Sequence, residues 1–440
     1  MKIHAGDSPL FPLRAIVYFT LILLAAVLLS PTPAHAQSLT SIAVTPAQPS
    51  VEIGGNLQLH LVAAYSDGSS AVINSLVAWS STEPRAVTVS ASGLASGVAT
   101  GRAGIIAGYQ GQTAKTVVVS SIGNIQWSGP LVITSGGTYS GNWRSTSPNT
   151  SAVIVATTEP VVIQNSHLMA PADLIDDPYW GNNLTVKNVI GIGTNPNVAG
   201  QAYGMFVDAQ NPMLLDVENC YFENVTFGVW VRGYTGNRDG TQTITILNNR
   251  GRNMLGSLSN GSNGFLPGDQ YWTWSHAIQL SNVSLVPGIR IAWNEIINYP
   301  YQSLVFENLS MFDSGGTPSS PAEIHDNFVQ GAYPYVPATG GYNGGGFTTD
   351  GSAADTVETA AAFNNVYNNQ IVGTVNMGIE IGAGHDNAAY NNTAISSGLL
   401  PNGVKIAAQN VGATVYDVYG NIANGTMYNN NMYNNTVGWM

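Results

Sequence analysis

At 440 residues the chain has room for two or three domains, and its formal charge of −12 excludes an obvious partner in nucleic acid or anionic lipid, whose phosphates it would repel. Only 9% of residues are charged, whereas 49 are glycine, a balance that suits an all-β extracellular protein with many turns. The single cysteine, Cys220, excludes an internal disulfide, so stability has to come from core packing and backbone ladders. Residues 1–36 read as a secretory signal peptide. Lys2 and Arg14 precede the apolar run Ala15 to Leu29, and Pro31-Thr-Pro-Ala-His-Ala36 supplies a small-residue cleavage site. That run is short for a membrane span, and no later stretch is long and apolar enough to form one. The expected protein is exported, secreted or held at a bacterial cell surface, with no membrane span after cleavage.

Residues 38–121 read as a β-sandwich. Ser41-Ile-Ala-Val-Thr, Leu57-Gln-Leu-His-Leu-Val, Ala86-Val-Thr-Val-Ser and Thr116-Val-Val-Val-Ser alternate apolar and polar residues with period two, and Pro, Gly and Ser-Asp-Gly turns separate them. Four segments carry a specific resemblance: Ile42-Ala-Val-Thr-Pro46, Tyr65-Ser-Asp-Gly68, Val77-Ala-Trp-Ser-Ser81 and Gly93-Leu-Ala-Ser-Gly-Val-Ala-Thr-Gly101. They resemble the bacterial immunoglobulin-like group 2 (Big2) domain. The resemblance implies that Trp79 is the core tryptophan and that the domain acts as spacer, stalk or adhesive module. His60 lies within a strand and reads as structural.

From residue 122 to 440 the grammar changes. A strand ending near an Asn recurs every 23 to 45 residues, giving the column Asn188, Cys220, Asn249, Asn294, Asn327, Asn369, Asn392 and Asn421. A second strand follows each and opens on a small residue, as in Gly204-Met-Phe-Val, Gly228-Val-Trp-Val, Ala277-Ile-Gln-Leu, Ser303-Leu-Val-Phe, Gly346-Phe-Thr-Thr, Gly378-Ile-Glu-Ile and Gly403-Val-Lys-Ile. Constant strands with loops of variable length mark a solenoid whose coils bury each other's apolar faces. The uneven spacing argues against a β-propeller. This region resembles the right-handed, single-stranded parallel β-helix of pectate lyases, polygalacturonases and phage tailspikes. That resemblance is one of fold and names no reaction. The final residues read as part of another coil without a polar cap.

The long inserts, at about 191–203, 250–276 and 331–345, fall between the Asn column and the next strand, where stacking would place them along one side as the wall of a groove. Tyr271, Trp272 and Trp274 in one, and Tyr333, Tyr335 and Tyr342 in another, offer flat faces of the kind that stack on sugar rings. The strand beside these loops presents two outward columns. One is Phe206, Trp230, Gln279, Val305, Thr348, Glu380 and Lys405; the other is Asp208, Arg232, Ser281, Glu307, Asp350, Gly382 and Ala407. This alignment makes Glu307 and Asp350 neighbours, and likewise Asp208 and Arg232. A close carboxylate pair suits glycoside chemistry, because crowding separates the two pKa values. The same pair would also suit Ca²⁺, the one cofactor the sequence leaves open.

No catalytic motif of the known enzymes of this fold is present: neither Asn-Thr-Asp, Gly-His-Gly and Arg-Ile-Lys nor Trp-Ile-Asp-His. No catalytic residue is therefore carried over. Asp176-Asp177 reads as a turn before Pro178, and His385-Asp386 as an ordinary coil turn. The candidate catalytic residues are Glu307, Asp350, Asp208, Arg232 and His276; the candidate binding residues are Trp272, Trp274, Tyr271, Trp230 and Glu380. The sequence thus points to a secreted or surface β-helix that binds polysaccharide or surface glycan and degrades it as a hydrolase or uronate lyase. A non-catalytic, adhesin-like surface protein is the rival reading.

Overall fold

The structure is a computed structural model that describes residues 37–73, 75–123, 125–268, 272–339, 344–400, 403–406 and 412–440. The leader 1–36 and its cleavage site, and with them Tyr271, Tyr342 and Ala407, lie outside the described residues. Among the described residues no helix is long and apolar enough to cross a membrane. The chain divides into two compact units, the first ending at Gly123.

The first unit is an Ig-like β-sandwich of three small sheets, ten short strands in all between Leu39 and Ser121. Its core gathers Leu59, Leu61, Val87, Ile105, Ala107 and Val118, one face of each alternating strand, and Trp79 packs against it. Gly93 is fixed by two demands. Its φ of +81° is in the left-handed region, and a Cβ would meet Leu59 O at 2.8 Å and the Trp79 ring at 3.0 Å. His60 is exposed at the start of its strand.

The second unit is a parallel β-helix. Its front sheet stacks ten strands, one per coil: β1 (Leu131–Ile133), β2 (Val153–Val155), β3 (Ile175–Asp177), β4 (Val207–Gln210), β5 (Phe227–Arg232), β6 (His276–Ser281), β7 (Glu307–Phe312), β8 (Gly345–Asp350), β9 (Ile379–Ile381) and β10 (Ala413–Val415). An eighteen-stranded sheet forms the remaining walls, and from about residue 214 each coil contributes two strands to it. Stacking carries each apolar residue onto its equivalent in the next coil. Val186, Val217, Ile246, Ile291, Ile324, Val366, Ala389 and Met432 are successive register partners, and the core is continuous from Ile133 to Met427.

Two adjacent columns make the corner between the paired strands. The first holds Asn188, Asn219, Asn248, Trp293, Asp326, Asn368, Asn391 and Asn434, all with φ between +52° and +57°. Asn and Asp are the non-glycine residues that tolerate this conformation best, which explains their recurrence. The second column points inward as an amide ladder. From Asn249 through Asn294, Asn327, Asn369 and Asn392 to Asn435, each Nδ2 donates to the next Oδ1 at 2.9–3.0 Å. Cys220 begins the ladder with its N–H on Asn249 Oδ1, and burial pushes its thiol up to about 12, so the thiol is inert. The expected column is corrected at both ends. Asn188 belongs to the left-handed column one residue earlier, and Asn435, not Asn421, closes the ladder.

A second ladder, Asn364–Asn387–Asn430, lines another corner. Asp386 takes φ +54° there, and His385 is buried with Nδ1 on Asp386 and Nε2 on Val357 O, its ring stacked on Tyr428. The His385-Asp386 pair is therefore scaffold.

Candidate functional site

The front sheet brings three columns of side chains to its outer face. One runs Phe227, His276, Glu307, Gly345; the next Asp176, Asp208, Trp230, Gln279, Ser310, Thr348, Glu380, Thr414; the third Gln210, Arg232, Ser281, Phe312, Asp350. This register corrects the expected columns in three coils. Phe206 is fully buried and stacks on Phe222 inside the coil, which moves Asp208 into the central column. In the β7 coil, Val305 is also core, and the outward positions are Ser310 and Phe312. Glu307 consequently pairs with Gly345 and Asp350 with Phe312, so the two acids are not lateral neighbours. Lys405 lies in a loop, and Thr414 takes the place expected for it beside Glu380. Asp176-Asp177 is not a turn but the end of β3, with Asp176 beside Asp208.

The acids nevertheless remain in electrostatic contact. Burial raises Glu307 well above the usual carboxylate range, and the charges of Asp350 and Glu380 add to the effect. Burial, then Asp350, raises Glu380 to about 7. Burial raises Asp350 as well, but the Tyr419 hydroxyl (2.6 Å) and the Gly351 N–H (2.9 Å) donate to it and favour its charged form. Among the described residues, Glu380 Oε1 and Glu307 Oε2 have no hydrogen-bond partner. His276, fully buried at the start of β6, lies 3.8 Å from Glu307, and burial holds its imidazole down at about 3. Burial thus favours its neutral form, and among the described residues neither ring nitrogen has a hydrogen bond of normal geometry.

Beside these acids lies a cleft of about 450 Å³. Tyr203, Phe227, Trp230, Trp274, Phe306 and Phe312 supply most of its wall, and Gln279, Ser281, Asn282, His276, Asp350 and Tyr419 its polar groups. An apolar hollow with a few convergent polar groups is the usual form of a small-ligand site. Phe227 stacks on Trp230 at 4.6 Å. Trp272 stacks on Phe306 at 5.7 Å, so its face is used in packing, whereas Trp274 is 55% exposed and stands edge-on to Phe306. Tyr333 is buried in a small apolar cluster with Val375, Leu400 and Ile406. Phe306, Phe312, Tyr203 and Tyr419 were not evident from sequence. The two phenylalanines were hidden by the slipped alignment of the β7 coil, and Tyr419 reaches Asp350 from 69 residues along the chain.

At the other end of the face, Arg232 covers the Trp230 ring at 4.6 Å and forms a two-pronged ion pair with Asp208. Asp173, Asp176 and Asp208 bring oxygens within 4.8 Å of one another. This set does not fit Ca²⁺, because Arg232 takes both Asp208 oxygens and Met205 N–H takes Asp173 Oδ1.

The raised acids give a stability signature. Burial lifts Asp173 and Asp177 to about 7, Glu380 to about 7 and Asp313 to about 8. In the unfolded chain such groups ionise near their usual values of 3.8 and 4.5, whereas the native protein still holds their protons. Stability is therefore complete below those values and falls as pH rises through 7 to 8. The thermal midpoint of the β-helix is expected to be several degrees higher near pH 4 than near pH 8, by circular dichroism. Equal midpoints would mean that these acids titrate normally.

Residues 38–119 match the family model described as Bacterial Ig-like domain (group 2), and the first unit is such a domain. A stretch of 91 residues is 43% identical to Ice-binding protein 1 of Shewanella frigidimarina (strain NCIMB 400), covering 20% of this chain and 10% of that protein. Two solved structures are also similar: domains 4 and 5 of the S-layer protein SbsC, and domains 1–6 of the same surface layer protein. Each is 24% identical with a TM-score of 0.18; they cover 19% and 20% of this chain, and 53% and 14% of the solved chains. Scores that low carry no argument. The chain spans about a tenth of its curated relative, and none of these matches is long enough to span the β-helix.

Proposed function

We propose that the protein is a secreted or surface polysaccharide hydrolase whose β-helix cleft binds the sugar chain, with the Ig-like unit as spacer. The observation that carries this reading is the contrast between Asp350 and Glu380 beside an aromatic cleft. Asp350 accepts two hydrogen bonds that favour its charge, whereas Glu380 has an oxygen without a partner and holds its proton to about 7. Burial raises both, but only Asp350 has bonds that favour its charged form, and two carboxyl groups in such unlike surroundings can take the roles of base and acid. Asp350 would be the charged partner and Glu380 the proton donor to the leaving oxygen. Trp274 would stack a sugar ring, and Gln279, Ser281 and Asn282 would bond its hydroxyls. The uronate-lyase variant is disfavoured, because Arg232, the basic residue such chemistry would use on this face, is already tied to Asp208.

The rival is a binder without chemistry. The name of the curated relative describes binding to ice and no reaction, although no outward column of the front sheet repeats one side chain as a face matched to a crystal lattice would. A screen of the full chain against neutral, basic and acidic polysaccharides separates the two. Release of reducing ends is the expected result. Retention without product would establish the binder, and neither retention nor product would remove the cleft from consideration.

A further inference from the structure

Taking the cleft as a carbohydrate site, we propose that its sugar chain carries ammonium groups, as an unacetylated amino-sugar polymer does, and that polyuronates are excluded. The argument rests on charge and on unsatisfied acceptors. Asp208, Glu307, Asp350 and Glu380 share the outer face, and Asp313 with Asp355 lies just beyond Asp350. Among the described residues of that face the one cation is Arg232, and its charge is cancelled by Asp208.

Glu380 is 8% exposed, and among the described residues neither its Oε1 nor the Oε2 of Glu307, with which it is in electrostatic contact, has a hydrogen-bond partner. Asp350 is the acid that lines the cleft, and its bonds favour the charged form that an ammonium group would meet. The same ammonium charge would favour ionisation of Glu380 and Glu307, which are in electrostatic contact with Asp350. Much of the cleft wall is aromatic, and the exposed Trp274 offers a face that attracts cations as well as sugar C–H groups. A uronate would place its own carboxylate against the same acids, with no free cation to receive it.

The test is isothermal titration of the full chain, in the cold and at low salt, with three hexasaccharides of glucosamine, N-acetylglucosamine and galacturonate. The glucosamine chain is expected to bind at least about tenfold more tightly than its neutral acetylated form, a difference of about 1.4 kcal/mol. Salt should erode that preference, and galacturonate should not bind. The double variant Asp350→Asn/Glu380→Gln, of unchanged shape, should lose the preference while keeping the neutral chain. Trp274→Ala should weaken both chains, the basic one more, because it loses the cation attraction as well as the stacking. Equal affinity for the basic and neutral chains would overturn the inference and leave the cleft assignment standing. So would a preference that survives the double variant, or tight binding of galacturonate. If no hexasaccharide binds, the inference and the carbohydrate reading fall together.

Discussion

Asp350→Asn is expected to lower kcat on the polysaccharide identified by screening by about 10²–10⁴-fold, with KM within about twofold of the parent. The amide keeps the shape and still accepts the Tyr419 and Gly351 hydrogen bonds, so the loss isolates the charge that those bonds favour. Glu380→Gln should reduce kcat to a similar extent by removing the proton donor. The pH profile gives an independent reading. Activity should rise as Asp350 ionises above the usual carboxylate range and fall as Glu380 loses its proton at about 7, a bell whose two limbs belong to the coupled acids together. Tyr419→Phe removes a donor that favours the charged form of Asp350 and so should shift the acid limb upward with little effect at the optimum. Full turnover in Asp350→Asn, measured as reducing ends released, would assign the chemistry elsewhere.

The repeat and the site were legible in the sequence to different depths, for a physical reason. The corner doublets announce the coils because two constraints act on neighbouring positions in every turn. The left-handed backbone at Asn368 and Asn391 suits few side chains, and the buried amides at Asn369 and Asn392 must pair with one another. Register on the front sheet lacks such a marker. Leu304 and Val305 are as buried as Ile278 and Leu280, so an apolar pattern alone cannot tell the approach to β7 from the strand itself. A slip of five residues there placed Glu307 beside Asp350 and concealed Ser310 and Phe312. The acids still cluster electrostatically, because long side chains bridge what the backbone register separates. Tyr419 was beyond any local pattern, since only folding brings it to Asp350.

The doublet also yields the sharpest expectation for stability: Asn369→Ala should cost about 3–5 kcal/mol, and Asn368→Ala next to it much less. Asn369 is buried, and its Oδ1 accepts both the N–H and the Nδ2 of Asn327, while its Nδ2 donates to Ile324 O and to Asn392 Oδ1. Alanine leaves the Asn327 N–H buried with no acceptor and cuts an array that runs from Cys220 to Asn435. Each buried group left unpaired costs about 1–3 kcal/mol, and the bonds of a chain strengthen one another. Asn368 contributes chiefly its tolerance of φ +56°, so alanine there should cost only about 1–2 kcal/mol, and glycine close to nothing. Urea unfolding of the three variants, followed by circular dichroism, makes the comparison. If Asn369→Ala is no worse than Asn368→Ala, the coils are held by apolar stacking alone and the amide ladder only decorates the corner.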